Sequence, residues 1–98
     1  MKISELIKSV KEENLTKDQL ENYYSELTSL SAEMELKMAD IEKSEALFLN
    51  ECGEETRSGA DRKWRATKEG QEGITLKHNI RAIDKLRSSI KSRIYNNL

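Results

Sequence analysis

Between Leu15 and Gly53 the chain has no glycine, and it has no proline anywhere. Those are the two residues that most strongly disfavour a helix interior, so nothing in this stretch interrupts helical hydrogen bonding. Its apolar residues, Leu20, Tyr23, Tyr24, Leu27, Leu30, Met34, Met38, Ile41, Leu47 and Phe48, recur mostly at three- and four-residue intervals, the spacing of one helical face. A long helix over 16–52 follows, about 50 Å in length at 1.5 Å per residue. Thr16 and Gln19 at its start have the spacing of a capping box, and Leu15 and Leu20 that of a hydrophobic staple. Leu20, Leu27, Met34, Ile41 and Phe48 are seven apart, but the companion positions slip from Tyr23 and Leu30 to Met38. Such a drift belongs to a nearly straight helix and disfavours an extended coiled coil.

Upstream, Ile3, Leu6, Ile7 and Val10 mark a short amphipathic helix within 1–14, with Ser4 as its N-cap. Downstream, "CGEETRSGAD" breaks the pattern and predicts a turn at 53–60. A second long helix is expected over 61–95. Its stripe runs through Leu76, Ile80, Ile83, Leu86, Ile90 and Ile94, and the same spacing extended backwards reaches Ala66, Gly70 and Gly73. Two long helices joined by a short turn predict an all-α fold, a single domain in which a short N-terminal helix precedes a long antiparallel helical hairpin. In that hairpin Ala66, Gly70 and Gly73 form a small-residue seam against Ile41, Leu47 and Phe48. The competing reading is a kink or break that separates "DRKWRATKE" as its own short helix. On an unbroken helix Trp64 lies roughly 160° from Ala66 and points away from the seam. A hairpin gives each helix one neighbour and leaves Tyr23, Tyr24, Leu36 and Leu47 wet, which predicts a homo-oligomer, most simply a dimer closing a four-helix bundle.

Little in the chain suggests catalysis. Cys52 and His78 are the only residues of their types, so no disulfide within the chain and no recognisable metal-ligand spacing is available. No nucleophile and base pair, phosphate loop or dinucleotide fingerprint is present. The expectation is a protein without enzymatic activity, metal or cofactor. Apolar runs are far shorter than the roughly 18 to 20 residues of a membrane span, and "MKISELIKSVKEEN" is too charged for a signal peptide. A cytoplasmic protein with no membrane association is expected.

The charge distribution is lopsided. Residues 1–55 sum to about −8 and residues 56–98 to about +7, and every arginine lies in the second part. Two readings compete: an acidic helix paired with a basic one through weak surface ion pairs, or a basic face for phosphate or an acidic partner. The candidate binding residues are Arg62, Trp64, Arg65 and Lys68 around the tryptophan, with Lys77 and Arg81 on a cationic ridge that Lys85 continues. Guanidinium and ammonium groups would hold phosphate, and the indole would face a base.

"EALFLNE", "KWRATKEG" and "LKHNIRAIDKLRSSIKSRI", with the polar turn between the first two, resemble small all-helical proteins of tailed phages whose function is unassigned. The resemblance covers residues 20–95. It implies a phage origin and action in the host cytoplasm, and carries over no functional residue. The leading expectation is therefore a binding protein of host takeover or counter-defence, which blocks a host protein or sequesters an anionic small molecule such as a nucleotide signal. The alternatives are a nucleic-acid-binding accessory of replication or recombination and a structural helical adaptor.

Overall fold

The computed structural model describes residues 3–12 and 14–96. Among them are four helices and no strand: α1 (Ile3–Val10), α2 (Lys17–Glu51), α3 (Arg57–Ala66) and α4 (Lys68–Asn96). The protein is all-α. Met1, Lys2 and Glu13 of the short helix expected over 1–14 lie outside the described residues, as do Asn97 and Leu98. Within the described part α1 stops at Val10. Ser4 lies in the first turn of α1 and does not precede it as an N-cap.

The start of α2 follows its sequence. Gln19 donates its backbone N–H to the Thr16 hydroxyl (3.2 Å), and the Thr16 amide donates to Gln19 Oε1 (2.9 Å). Leu20 is fully buried and Leu15 half-buried. At the other end the amide of Cys52 donates to the Phe48 carbonyl (2.9 Å), and Gly53 takes a φ of 73°. Only glycine adopts that left-handed conformation without cost, so the helix ends there. Along α2 a row with four-three spacing, Leu20, Tyr24, Leu27, Ser31, Met34, Met38, Ile41, Glu45 and Phe48, is buried or half-buried throughout. Tyr23 and Leu30, the companion positions of the apolar pattern, flank it half-buried, as do Ser44 and Leu49. Ser31 and Glu45 occupy covered positions of the repeat, and their polarity hides it from a hydrophobic reading.

Two compact units make up the chain, residues 1–33 with 80–98, and residues 34–79. In the first, α1 supplies Leu6 and Val10, α2 supplies Leu20 and Leu27, and α4 supplies Ile83 and Ile90 to the core. Arg93 ties α1 down, its guanidinium donating to the carbonyls of Val10 and Glu12. Those carbonyls close a helix C-terminus, where a cation is favourable and no helical donor remains. Arg87 lies 5.2 Å over the ring of Tyr24, a cation–π contact on a half-buried tyrosine.

The second unit has Met38, Ile41, Ala60, Trp64 and Leu76 as its buried apolar residues. The rings of Phe48 and Trp64 meet at 5.4 Å and 53°, within the tilted range that aromatic pairs prefer. Leu36 and Leu47 are 71% and 62% exposed. Leu47 therefore does not belong to the small-residue seam in which the sequence reading puts it.

The helix expected over 61–95 is two helices. The turn before them is also shorter than 53–60, because α3 already begins at Arg57, where the Thr56 hydroxyl accepts from the Gly59 amide (3.1 Å). The break between α3 and α4 falls at Thr67, whose ψ of 159° is extended. Its amide (3.0 Å) and hydroxyl (2.7 Å) both donate to the Trp64 carbonyl, and the hydroxyl also accepts from the Gly70 amide (3.0 Å). One threonine thus closes α3 and opens α4. A β-carbon on Gly70 would stand 2.0 Å from the Trp64 oxygen and 3.1 Å from the Arg65 Cα, whereas one on Gly73 would stand 3.2 Å from Ile41 Cγ2. Gly73 is the seam residue against α2; Gly70 sits under the end of α3, and Ala66 is exposed.

Gly70→Ala is expected to destabilise the protein by more than ~2 kcal/mol, because backbone has to move. Gly73→Ala is expected to stay within about 1 kcal/mol of the parent, since the gain in helix propensity offsets the small shift asked of the Ile41 side chain. Urea unfolding of the two variants checks this; equal losses would contradict the two different roles.

Candidate functional site

The break at Thr67 decides how the basic cluster is presented. A continuous helix would turn Trp64 away from the core, but the extended residue resets the helical phase, and Trp64 is only 7% exposed. The expectation of an outward tryptophan is corrected on that ground. Its ring packs on Phe48, so the indole has no open face to offer a base.

What the second unit offers is a groove of about 380 Å³. Met38 and Ile41 of α2, Trp64 of α3, and Gly70, Gly73 and Ile74 of α4 form its apolar and backbone walls. Ile74 keeps 38% of its surface exposed there. The charged members are Arg57, Arg65 and Lys77, with Glu45 and Asp61 as counter-charges. Arg57 Nε stands 3.7 Å from Asp61 Oδ1, and the Arg57 side chain is 84% exposed, a weak pair that leaves most of the guanidinium donors unused. Arg65 donates from Nε to the Asp61 carbonyl (3.4 Å), which orients its guanidinium without neutralising it. The Lys77 ammonium has no ion pair among the described residues.

Of the six residues expected to bind, Trp64, Arg65 and Lys77 therefore come together at one groove. Arg62 and Lys68 are exposed in the same unit and do not line it. Arg81 belongs to the other unit, exposed on α4. Arg57 is the groove residue that the sequence reading misses. Its signal lies in Thr56, since a threonine N-cap two residues before "SGAD" starts α3 inside the supposed turn and brings Arg57 onto a helix.

The surroundings of α3 are held by Lys63, whose Nζ lies 2.5 Å from Glu54 Oε1. The hydrogen bond to Glu54, and then its charge, hold the ammonium above the ordinary lysine range. A raised folded-state value makes this tie complete below the unfolded lysine pKa and lost as pH rises through the folded one.

No family model, curated protein or solved structure matches the chain. Among the described residues no helix is long and apolar enough to cross a membrane.

The sole tryptophan reports directly on this geometry. Its emission is expected to be blue-shifted and poorly quenched by acrylamide in the parent, and Phe48→Ala is expected to move it red while the helical circular dichroism persists. A solvent-like emission maximum in the parent would contradict the buried position.

Proposed function

We propose that this is a non-catalytic binding protein whose groove beside the α3–α4 junction takes a phosphate-bearing small molecule of the nucleotide class. The observation that carries the reading is the convergence of Arg57, Arg65 and Lys77 on one apolar-walled groove. Guanidinium forks and an ammonium are the donors that phosphate oxygens need. Ile41 and Ile74 supply the surface for an apolar base, in place of the indole face. Glu45 and Asp61 are acceptors for ribose hydroxyls or exocyclic amines, and they also weaken binding of a bare anion. In the setting implied by the phage resemblance, such a protein sequesters a host nucleotide signal as a counter-defence. Blocking a host protein through an acidic segment in the same groove is the variant of this reading.

The arrangement we favour around this groove is an antiparallel hairpin of α2 and α4, assembled as a homo-oligomer. Gly73 beside Ile41 supports the hairpin, and the exposed leucines of α2 support the assembly. A second reading, binding of a nucleic-acid backbone, draws on Lys77, Arg81 and Lys85, which are exposed along α4 and make no ion pair among the described residues.

Thermal-shift titrations with inorganic pyrophosphate, a nucleoside triphosphate and a short DNA duplex at low and high salt test both. A ligand bound only by the native state raises the midpoint by mass action, by about 2.7 kcal/mol of stability at a hundred times its Kd. The nucleotide is expected to stabilise at both salt concentrations and the duplex at neither, or at low salt alone. Arg65→Glu is expected to abolish the shift, whereas Arg62→Glu, off the groove, and Lys8→Glu on α1 are expected to retain it. Equal losses from Arg62→Glu and Arg65→Glu would reject the groove as the site.

A further inference from the structure

We propose that a second copy of this chain docks on the outward face of the C-terminal half of α2, antiparallel to the first, about a two-fold axis that passes between Asp40 and Lys43. Self-association belongs to the reading above; the surface, direction and register are new and do not depend on what the groove binds.

Leu36, Asp40, Lys43 and Leu47 fall within an arc of about 60° at 100° per residue, roughly 150° from the stripe of Met38, Ile41 and Phe48. All four lie in the second unit and are exposed, the leucines by 71% and 62%. The core of their own unit is on the opposite side of the helix, so packing within the unit does not cover them. Further toward the N-terminus the same outward line of α2 carries Asp18, Asn22, Ser25 and Ser29. Two large exposed leucines in line are therefore particular to this segment, where a solvated face would continue the polar residues.

The order of the four residues selects the occupant. Leu36 and Leu47 stand at equal distances outside the pair Asp40 and Lys43, four residues on each side. When a second copy runs antiparallel, Leu36 meets Leu47 of the copy and Asp40 meets its Lys43, and the two-fold repeats both contacts. Each charge finds its opposite and each leucine a leucine, as an isologous interface requires. In a parallel pairing Asp40 meets Asp40 and Lys43 meets Lys43, and like charges oppose it. The side chains of Asp40 and Lys43 make no ion pair or hydrogen bond among the described residues, so both charges are free to pair with the copy. The contact covers three helical turns, about 16 Å, a small interface that calls for a weak dimer.

Light scattering and sedimentation at roughly 100 µM, a concentration suited to a small interface, are expected to give twice the 11.3 kDa of one chain. Asp40→Lys makes the face all-cationic and Lys43→Asp makes it all-anionic; each alone is expected to be monomeric with unchanged helical circular dichroism. An equimolar mixture of the two is expected to regain the dimer mass, because every 40–43 pair then joins a lysine to an aspartate. The double variant Asp40→Lys with Lys43→Asp is expected to dimerise as the parent does, and Leu36→Asp to be monomeric. A parent of 11.3 kDa overturns both this interface and the oligomer itself. A dimeric parent whose mass ignores the single charge variants, or monomeric variants that do not rescue one another, overturns the interface alone.

Discussion

The carbonyl oxygen of Trp64 accepts from Thr67 twice, from its amide at 3.0 Å and its hydroxyl at 2.7 Å, and it lies where a β-carbon on Gly70 would be 2.0 Å away. Much of the second unit depends on this junction. The two bonds satisfy a carbonyl at the end of α3 that no helical N–H reaches, and the Thr67 hydroxyl in turn satisfies the Gly70 amide, one of the orphan donors at the start of α4. Because Thr67 itself is extended, α4 starts in a new phase. That phase puts Trp64 on Phe48, aligns Gly73 with Ile41, and leaves Arg57, Arg65 and Lys77 around one groove. Gln71 adds a third tie from its side-chain amide to the Arg65 carbonyl. Gly70 thus serves a close approach: it lets two helix ends touch, and the neighbouring cations project from a fixed corner.

This junction was the part least legible in the sequence, and the three threonine caps show why. Thr16, Thr56 and Thr67 each accept from the amide three residues on. At Thr16 the third residue is glutamine, whose side chain returns a bond to the Thr16 amide, so the reciprocal pattern reads as a cap. At Thr56 and Thr67 the third residue is glycine, which has no side chain to return, and only half the pattern is present. Apolar periodicity favours a helix across Thr67, since Ala66, Gly70 and Gly73 keep helical spacing through a residue that is not helical. The outward placement of Trp64 belongs to the unbroken helix; the competing break, which puts the start of "DRKWRATKE" in a short helix of its own, is the arrangement found. The long run of α2, by contrast, was legible from its lack of glycine and proline, and its end from Gly53.

Charge segregation along the chain reads differently once the ion pairs are known. Arg57 pairs with Asp61 inside α3, Lys63 with Glu54 just before it, and Arg87 with Asp84 inside α4. None of these joins the acidic α2 to the basic α4. Among the described residues, then, no direct ion pair links the two helices. Local pairs three or four residues apart contribute only a few tenths of a kcal/mol each, and Lys77, Arg81 and Lys85 are exposed with no ion pair among the described residues. Cations in that state break no internal ion pair when they bind an anion, so only their hydration opposes binding, a condition compatible with either reading of the basic face.

Helix α2 carries the same logic on its two faces. Its covered stripe admits Ser31 and Glu45, and its outward line admits Leu36 and Leu47, so the contrast between the faces is blurred where a helix with one neighbour would sharpen it. A leucine left in water forgoes roughly 1.5–3 kcal/mol of burial, and single exposed leucines need no explanation. Two of them symmetrically placed about an aspartate and a lysine that make no ion pair among the described residues are a different matter. The spacing of four, three and four has a centre, and a helix surface with a centre of this kind is complementary to its own reverse. Solubility is served equally well by any arrangement of those four side chains, and the blank polar line from Asp18 to Ser29 shows that α2 does not otherwise spend apolar residues on its outward side. The ordering of the four residues is what a two-fold contact demands, and a solvated helix places no such demand on it.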